Sequence, residues 1–551
     1  MSADILQIHP ADNVLVALRD FRPGEVVETE GGQPVQLLEK IPIKHKFAVD
    51  DMTEGEIVTM YGVPVGKTLR PVPAGTRIST DNVVHASADY AVGKRKLEWT
   101  VPDTSAFVDR TFDGYHRADG QVGTRNYWLV IPLVFCENRN IEVIRSAMLD
   151  KLGYASDRDF SIDVDTLIEQ YRSGVGPEEI RGADILRSGT ELRQQRVFPN
   201  VDGIKFLTHE GGCGGIRQDS ETLCRLLAGY LNNPNVAGAT VLSLGCQNAQ
   251  IGLLREAITR INEDFSKPLY ILEQQGSSSE RSFIAEAVKA TFAGLMQADR
   301  TERKPASLAH LTLGLECGGS DGFSGLSANP ALGYTSDLLV ALGGKAILSE
   351  FPELNGVEQE IVNRCVNDGV AEKFVRLMRT YSRRAEEVGS AFSANPSPGN
   401  IRDGLITDAM KSAGAAKKGG TSPVVDVLDY TEQATRPGLN LLCTPGNDVE
   451  STTGLAGSGA NLIVFTTGLG TPTGNPVAPT VKMASNSALA ERMHDLIDID
   501  AGTVITGQDT IRSKGEALLD LLIDVASGRR LTCAERLGQD DFIPWRRGVS
   551  L

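Results

Sequence analysis

The pattern of hydrophobic and polar positions divides the chain into two kinds of sequence. Residues 1–90 carry short apolar runs at 14–18, 35–38, 47–49 and 57–60, separated by turn signals such as Arg-Pro-Gly at 22–24. Apolar runs of this length, separated by turns at this spacing, are typical of a small all-β unit. From 91 to 113 the periodicity is lost and the sequence is polar, which predicts a linker between domains.

Beyond the linker, apolar runs of strand length alternate with segments of helical period, such as 220–231 and 251–261. This alternation predicts βα units on a largely parallel sheet. The predicted strands are residues 128–136, 203–208, 239–244, 311–316, 346–350, 424–428, 439–443 and 462–466. A polar stretch at 299–307 predicts a division into two lobes, 114–300 and 301–551. The predicted fold class is therefore α/β, with a small N-terminal all-β domain before a two-lobed α/β catalytic region.

Composition narrows the classes of function. Of the 551 residues 41% are hydrophobic and 23% are charged, which is ordinary globular usage and excludes disorder as the main state. Asp and Glu number 71 against 55 Lys and Arg, and the net charge of −16 repels phosphate backbones and anionic lipid. We therefore expect neither a nucleic acid nor a membrane as partner. The N-terminal residues lack a secretion-signal pattern, and we expect a cytoplasmic location.

Four of the eight cysteines follow predicted strands, each in a polar or glycine-rich turn: Cys136, Cys213, Cys246 and Cys317. The carboxyl ends of parallel strands form the ligand crevice of an open α/β sheet, so these thiols and His209 could converge there. Thiolate and imidazole ligands suit iron or zinc. A mononuclear Fe(II) site and a three-cysteine iron–sulfur cluster with an open iron are both compatible with these residues, and spacing alone does not choose. The other four cysteines are expected to be small buried hydrophobes.

Glycine-rich loops recur without matching a nucleotide-binding motif, for example at 318–322, 395–400, 444–448 and 466–471. Such loops bring backbone N–H groups close to an anion, and their Ser, Thr, Asn and Asp side chains bind hydroxyl groups. They favour a polyhydroxylated carboxylate as ligand, with tight turns as the alternative. In the N-terminal unit, His45 lies between Lys44 and Lys46, whose charges would lower its pKa. His45 is thus a candidate neutral base or metal ligand, and a solvated basic turn is the alternative.

Several long strings occur together in one order: Asp12-Asn13-Val14, Lys44-His45-Lys46, residues 115–126, Glu316-Cys317 with the following Gly-Gly-Ser-Asp-Gly, residues 395–400 and residues 468–472. On these strings the chain resembles the altronate/galactarate dehydratase family over nearly its whole length, with an N-terminal SAF-type β domain. Residues 439–448 and 547–551 look more like the altronate branch. Two departures are Gln247, where family members usually carry a carboxylate after the cysteine, and the string from His209 to Cys213.

The resemblance implies a hydro-lyase that removes water from a sugar acid and leaves a 2-keto-3-deoxy acid. D-Altronate, giving 2-keto-3-deoxy-D-gluconate, is the expected substrate. The implied cofactor is Fe(II), with Mn(II) as a replacement. Galactarate dehydration, a sulfolactate-type sulfo-lyase activity and a non-enzymatic sugar-acid binding protein stay open as alternatives.

The expected site residues follow from the loops and from the resemblance together. His45, Lys46 and Arg125 are the expected catalytic residues, with His45 as base or metal ligand delivered across the domain interface. The expected metal ligands are His209, Cys213, Cys246 and Cys317, and the expected substrate-binding residues are Asp321, Asn400, Asn447 and Lys482. Arg125, Lys46 or Lys482 would neutralise the substrate carboxylate. The expected partner is a small sugar acid, and a homo-oligomer stays open.

Overall fold

The computed structural model describes residues 4–29, 32, 34–93, 95, 97–155, 160–188 and 195–550. Residues 1–3 of the predicted N-terminal domain, residues 94 and 96 of the predicted linker and residue 551 of the C-terminal string lie outside the described residues. Within the described part, no helix combines the length and the apolar character needed to cross a membrane.

The elements of the N-terminal domain that the structure describes are short antiparallel strands. They form sheets in the orders β1-β2-β5, β3-β4 and β6-β7-β8. Their bounds are β1 Ile5–Leu6, β2 Val14–Ala17, β3 Val26–Glu28, β4 Pro34–Gln36, β5 Lys46–Ala48, β6 Ile57–Met60, β7 Val63–Thr68 and β8 Val83–Val84. The all-β prediction for this region is confirmed.

The second region holds a four-stranded parallel sheet in the order β14-β11-β15-β16. Its strands and those nearby are β9 Thr111–His116, β10 Val122–Gly123, β11 Tyr127–Pro132, β12 Phe160–Ile162, β13 Leu186–Ser188, β14 Gly203–Phe206, β15 Val236–Ser243 and β16 Leu269–Glu273. The helices are α1 Asn138–Leu152, α2 Val164–Arg172, α3 Pro177–Ile180, α4 Arg217–Asn232, α5 Ile251–Ile261 and α6 Glu280–Ala298. Every residue of β11 and β15 is buried, as expected for a parallel sheet covered on both faces.

The third region holds a seven-stranded parallel sheet in the order β20-β21-β19-β18-β22-β23-β24. The strands of this sheet are β18 Thr312–Cys317, β19 Lys345–Leu348, β20 Val424–Leu428, β21 Gly438–Leu442, β22 Leu462–Thr467, β23 Thr480–Ala484 and β24 Ile499–Asp500, and β17 Arg303–Ser307 precedes them in the chain. The helices are α7 Ala328–Ala341, α8 Glu358–Arg364, α9 Asp368–Glu387, α10 Pro398–Arg402, α11 Asp408–Ala415, α12 Asp448–Gly457, α13 Ser487–Arg492, α14 Gly502–Ile505, α15 Ile511–Ala526 and α16 Cys533–Leu537. The predicted α/β fold class is confirmed.

The regions share their cores. Val65 of the N-terminal domain lies in the same buried cluster as Leu313 and Met410 of the third region. Leu129 of the second region lies in another cluster with Ile463 of the third. The polar segments 91–113 and 299–307, predicted as boundaries, also meet in the structure. Strand β9 lies between β10 and β17 and pairs antiparallel with both. The three regions are therefore packed so that sites can draw residues from more than one of them.

Candidate active site

A cluster of buried ionisable groups lies at the carboxyl edge of the seven-stranded sheet. Glu316 and Cys317 are the last residues of β18, and Glu350 follows the neighbouring β19 by two residues. Topology places the ends of adjacent parallel strands side by side, so these groups meet at the position where open α/β sheets bind ligands. Glu350 adopts a left-handed backbone with φ of 65°, an uncommon conformation for a residue with a side chain.

Two lysines neutralise part of the acidic charge. Lys418 Nζ donates to Glu350 Oε2 and to Cys317 Sγ, both at 2.7 Å. Lys411 Nζ lies 2.6 Å from Glu353 Oε1, and the thiol of Cys317 donates to Glu353 Oε2 at 3.2 Å. Burial raises the pKa of Cys317 well above its usual range, and the charges of Glu350 and Glu353 add to the shift. Without a bound cation the thiol therefore stays protonated.

The acids in this cluster outnumber the bases. Glu316 accepts hydrogen bonds from Ser349 and Ser451 on Oε2 at 2.9 and 2.6 Å, and burial followed by the charge of Glu350 raises its pKa well above the usual range. Glu316 Oε1 and Glu350 Oε1 are buried and accept no hydrogen bond within the described residues. Two groups of three side chains could each hold a metal ion, because the ligand atoms within each group lie no more than 4.8 Å apart. One group is Cys317, Glu350 and Glu353, and the other is Glu316, Glu350 and Asp448. Orphaned, closely spaced carboxylate oxygens fit a divalent cation.

A cavity of about 600 Å³ opens beside this cluster. Cys317, Glu353, Lys411 and Asp448 line it, together with Asn400 and Asn447. Asp448 is the first residue of α12, and burial raises its pKa to about 7, with the charges of Glu350 and Glu353 as further causes. A carboxyl group with a pKa near neutrality can both donate and accept a proton at physiological pH.

Gly318 leaves room for the carboxylate of Asp448. A Cβ atom at residue 318 would lie 2.1 Å from Asp448 Oδ2 and 2.6 Å from a ring carbon of Phe465. Any side chain at this position would displace the carboxylate, so the close approach requires glycine.

The N-terminal domain docks beside this cavity through residues 44–46. Lys44 Nζ pairs with Asp321 Oδ2 at 2.9 Å, and Lys46 Nζ donates to the carbonyl of Gly404 at 2.7 Å. His45 Nε2 lies 3.1 Å from the carbonyl of Arg402, two residues beyond the cavity-lining Asn400. Because a carbonyl only accepts, Nε2 carries the proton and Nδ1 is the basic nitrogen. His45 Nδ1 is buried and has no hydrogen-bond partner within the described residues. Burial lowers the pKa of His45, which keeps the imidazole neutral.

The structure separates the four expected metal ligands. Cys317 lies in the buried cluster, whereas His209, Cys213 and Cys246 lie on loops at the carboxyl edge of the four-stranded sheet. Both ring nitrogens of His209 are engaged: Nε2 bonds the carbonyl of Pro132 at 2.7 Å and Nδ1 accepts from the backbone N–H of Gly211 at 3.0 Å. Burial lowers its pKa to about 4. His209 therefore has no free nitrogen for a metal in this arrangement.

The expected cationic residues are engaged in structural contacts. Arg125 is fully buried and donates to both carboxylate oxygens of Glu535 at 2.8 and 3.0 Å and to the carbonyls of Thr124 and Val525. Lys482 Nζ donates to the carbonyl of Thr471 at 2.7 Å. Burial lowers the pKa of both Lys46 and Lys482 to about 7. Neither these three cationic residues nor His45 is among the residues that line the cavity.

The expected substrate-binding residues divide in the same way. Asn400 and Asn447 line the cavity, although both also cap local structure: Asn400 Nδ2 donates to the carbonyl of Ser320, and Asn447 Oδ1 accepts from the N–H of Glu450. Asp321 is instead saturated by Lys44, by the hydroxyls of Ser324 and Ser485 and by the amide of Asn486. It is an anchor for the N-terminal domain and does not line the cavity.

Sequence reasoning missed most of the buried cluster: Glu316, Glu350, Glu353, Lys411 and Asp448. A signal was present for two of these residues, because Glu316 and Glu350 each end an apolar run of strand length. A charged residue in a strand that is otherwise buried needs a partner, and this requirement points to a site. For Lys411 and Glu353, which lie on a helix and a short turn, periodicity offers no such signal.

Sequence comparison places the chain among known proteins. Three family models match it: "Altronate/galactarate dehydratase SAF domain" at residues 3–86, "D-galactarate dehydratase/Altronate hydrolase, second domain" at 114–299 and "D-galactarate/Altronate dehydratase, C-terminal" at 308–550. The chain is 34% identical to an altronate dehydratase of Escherichia coli (strain K12) over 546 residues and 32% identical to one of Bacillus subtilis (strain 168) over 552, with 99% of each chain covered. It is 31% identical to a galactarate dehydratase (L-threo-forming) of E. coli K12, covering 98% of this chain and 95% of that one. The chain belongs to the altronate/galactarate dehydratase family of hydro-lyases.

Proposed function

We propose that the chain dehydrates D-altronate to 2-keto-3-deoxy-D-gluconate in the cavity at the end of β18. The observation that carries the proposal is Asp448, a buried carboxyl group with a pKa of about 7 on the wall of a cavity rich in carboxylates. Whole-chain similarity to two altronate dehydratases supports the substrate class.

Dehydration of a 2,3-dihydroxy acid removes the proton on C2 and the hydroxyl on C3, and the enol that forms becomes the 2-keto acid. The reaction needs one group that takes a proton and another that gives one. Neutral His45 offers a basic Nδ1 from the N-terminal domain, and Asp448 at its raised pKa is available as the acid that protonates the leaving hydroxyl. Burial raises the pKa of Asp448 and lowers that of His45, so the carboxyl group can hold a proton while the imidazole stays neutral, as an acid–base pair requires.

The same cluster fits the proposed cofactor, Fe(II) or Mn(II). Cys317, Glu350 and Glu353 supply a set of candidate ligand atoms that leaves Asp448 free to act as the acid, and Glu350 Oε1 has no other partner within the described residues. When bound, such a cation would supply Lewis acidity next to the substrate carboxylate. The protein groups then orient the hydroxyls through Asn400 and Asn447 and move the protons.

Charge favours an aldonate over a dicarboxylate. Lys411 is paired with Glu353, Lys418 with Glu350 and Lys44 with Asp321. A second substrate carboxylate, as in galactarate, would therefore be buried among acids without a free cation from these three lysines, at a higher cost than a terminal hydroxyl.

The test is a side-by-side assay of D-altronate and galactarate, with Fe(II) under reducing conditions and detection of the 2-keto-3-deoxy product. We expect a higher kcat/KM for altronate, loss of turnover on chelation and recovery on adding Fe(II). Preference for galactarate would contradict the assignment of altronate and its charge argument, and would leave the reaction type standing. No keto-deoxy product from either acid would contradict dehydration of these two sugar acids, and full activity after chelation would contradict the metal.

A further inference from the structure

Three cysteines lie at the carboxyl edge of the four-stranded sheet, outside the cavity just described. Cys136 lies in a short turn after β11, Cys213 in the loop after β14 and Cys246 in the loop after β15. These are adjacent strands in the order β14-β11-β15, so the three thiols are carried to one place on the molecular surface. All three are exposed, although cysteine is among the most frequently buried residues.

Backbone hydrogen bonds hold the three cysteine loops together. The N–H of Phe135 donates to the carbonyl of Gly211 at 3.1 Å, which ties the Cys136 turn to the Cys213 loop. The N–H groups of Asn248 and Ala249 donate to the carbonyl of Gly212 at 2.9 and 3.0 Å, which ties in the Cys246 loop. Gly212 has a φ of +96°, and a Cβ there would lie 2.1 Å from the carbonyl oxygen of Leu133. Only glycine permits this close packing of the loops.

Gln247 turns the neighbouring thiol outward. Its side-chain amide is buried, accepts from the N–H of Gly245 at 2.7 Å and donates to the hydroxyl of Ser243 at 2.7 Å and the carbonyl of Ala249 at 3.1 Å. The loop is folded around this amide, and Cys246 is left exposed beside it. The glutamine that departs from the family pattern thus has a structural role in presenting the thiol.

The remaining cysteines do not share these properties. Cys224, Cys317, Cys365, Cys443 and Cys533 are all buried. Burial raises the pKa of Cys224, Cys443 and Cys533 to about 12 and that of Cys365 to about 11, which disfavours the thiolate that binds metals. The exposed cysteines are therefore a separate group within the chain.

The spacing of the three thiols argues against a single metal ion. A thiolate binds an ion such as zinc at about 2.3 Å, so two thiolates on one ion lie at most about 4.6 Å apart. Within the described residues, the sets of three ligand atoms that lie within 4.8 Å of one another are both at the seven-stranded sheet. His209 cannot complete a mononuclear site either, since both of its ring nitrogens are already engaged. A cluster places each thiolate on a different iron and so tolerates the wider spacing.

We propose that Cys136, Cys213 and Cys246 hold a [4Fe–4S] cluster in which the fourth iron has no protein ligand. Clusters of this type are held by cysteine thiolates, and hydrogen bonds from N–H groups to the sulfurs tune them. No hydrogen bond engages the backbone N–H groups of Cys213 and Cys246 in the part of the chain that the structure describes. Cys213 also lines a cavity of about 600 Å³, into which the open iron would face.

The C-terminal segment also lines the cavity beside Cys213. Phe542 and Trp545 contribute from that segment, and Glu450, in the first turn of α12, contributes from the third region. Asp448, two residues before Glu450, lines the catalytic cavity. The start of α12 thus separates the two cavities. The fourth iron would therefore be open to a small oxygen-bearing ligand on a side of α12 that the proposed chemistry does not use.

The test uses the full chain, purified anaerobically and reconstituted with Fe(II), sulfide and a thiol reductant. We expect broad absorption near about 400 nm and about four irons and four acid-labile sulfides per chain. Cys136→Ala, Cys213→Ala and Cys246→Ala should each lose most of this signal. Cys365→Ala, a buried cysteine away from these loops, is the matched control and should keep it. Circular dichroism and the Tm of each chain before reconstitution separate lost ligation from lost folding.

Iron without acid-labile sulfide, or a signal that survives all three substitutions, would overturn the cluster. Equal loss in Cys365→Ala would also overturn it, because the signal would then not depend on the three loops. The cluster and the dehydration reaction can fail separately. If the chain forms 2-keto-3-deoxy product with Fe(II) but carries no acid-labile sulfide, the proposed function holds and the cluster is wrong. If the chain carries acid-labile sulfide but forms no product, the cluster holds and the proposed function is wrong.

Discussion

The two parallel sheets carry different functional groups at their carboxyl edges. At the edge of the seven-stranded sheet, Glu316, Cys317 and Glu350 are buried and compensated by Lys411 and Lys418. At the edge of the four-stranded sheet, three exposed thiols lie in polar or glycine-rich loops. Both sites lie at the carboxyl ends of strands, as the topology requires.

The contrast shows what topology decides and what it leaves to the side chains. Carboxylate oxygens bind hard or borderline cations, whereas thiolates select softer metals and iron–sulfur clusters. A buried acidic cluster can also tune pKa values for proton transfer, because desolvation acts on each of its members. Exposed thiols on loops lack this effect. We therefore assign acid–base chemistry to the large sheet and cluster binding to the small one.

The largest expected effect is on turnover, from Asp448→Asn. The amide keeps the size of the side chain but can no longer exchange a proton, so kcat should fall by about 100- to 10,000-fold. Steady-state assay of keto-deoxy product checks this, with the 400 nm absorption as a second readout that should not change. Asp426→Asn is the matched control, since Asp426 lies within β20 and lines neither large cavity. A wild-type kcat in Asp448→Asn would contradict the assignment of acid–base chemistry to the carboxyl edge of the seven-stranded sheet.

A second large effect concerns stability rather than chemistry. Arg125→Met removes the partner of Glu535, which is held by Arg125 across the junction between β11 and α16. Leaving one member of a buried ion pair alone costs about 3–5 kcal/mol in the free energy of unfolding. We expect a clearly lower denaturation midpoint, with kcat of the folded fraction close to that of the wild type. A normal midpoint with a lost kcat would return Arg125 to the catalytic role that the sequence suggested.

The third effect tests whether the N-terminal domain takes part at the edge of the large sheet. His45→Ala removes the unpartnered Nδ1, and kcat should fall by about 100-fold, as for a lost acid–base group. His45→Gln can restore the hydrogen bond to the carbonyl of Arg402 but cannot take a proton, so it should not recover kcat. Recovery in the glutamine variant would show that His45 only positions the chain around Arg402.

The smallest effect is a pH dependence of stability. The pKa of Asp448 is raised to about 7 in the folded chain from its ordinary value of 3.8. Between these values the folded state holds a proton that the unfolded state has released, so the contribution of Asp448 to stability falls as pH rises. Asn has no such proton. The Tm of Asp448→Asn minus that of the wild type should therefore increase between about pH 4.5 and about pH 8. A difference that is flat or decreases over this range would contradict the raised pKa.

Local sequence was enough for the fold class and for many of the elements. The predicted strands 424–428 and 462–466 coincide with β20 and β22 within one residue. β22 is buried throughout, as expected of a strand covered on both faces, whereas the edge strand β20 keeps Asp426 among its apolar residues. β23 was missed because Lys482 interrupts its run. β16 was also missed, although its residues Leu269–Glu273 form an apolar run of strand length.

The candidate sites depend on which strands share a sheet and on contacts between distant residues, and local sequence patterns show neither. The sequence alone placed four cysteines after strands and put the Lys44-His45-Lys46 string in the N-terminal domain. Only the tertiary structure decided that β18 belongs to a different sheet from β11, β14 and β15, which separates Cys317 from the other three thiols. It also brought Lys418 to Glu350 and Cys317, which are more than 60 positions away in the chain, and Lys411 to Glu353. Periodicity reports which face of an element is buried, whereas the order of strands in a sheet follows from long-range packing of whole elements. The partners of a buried charge are therefore set by the fold, although the need for a partner is already visible in the sequence.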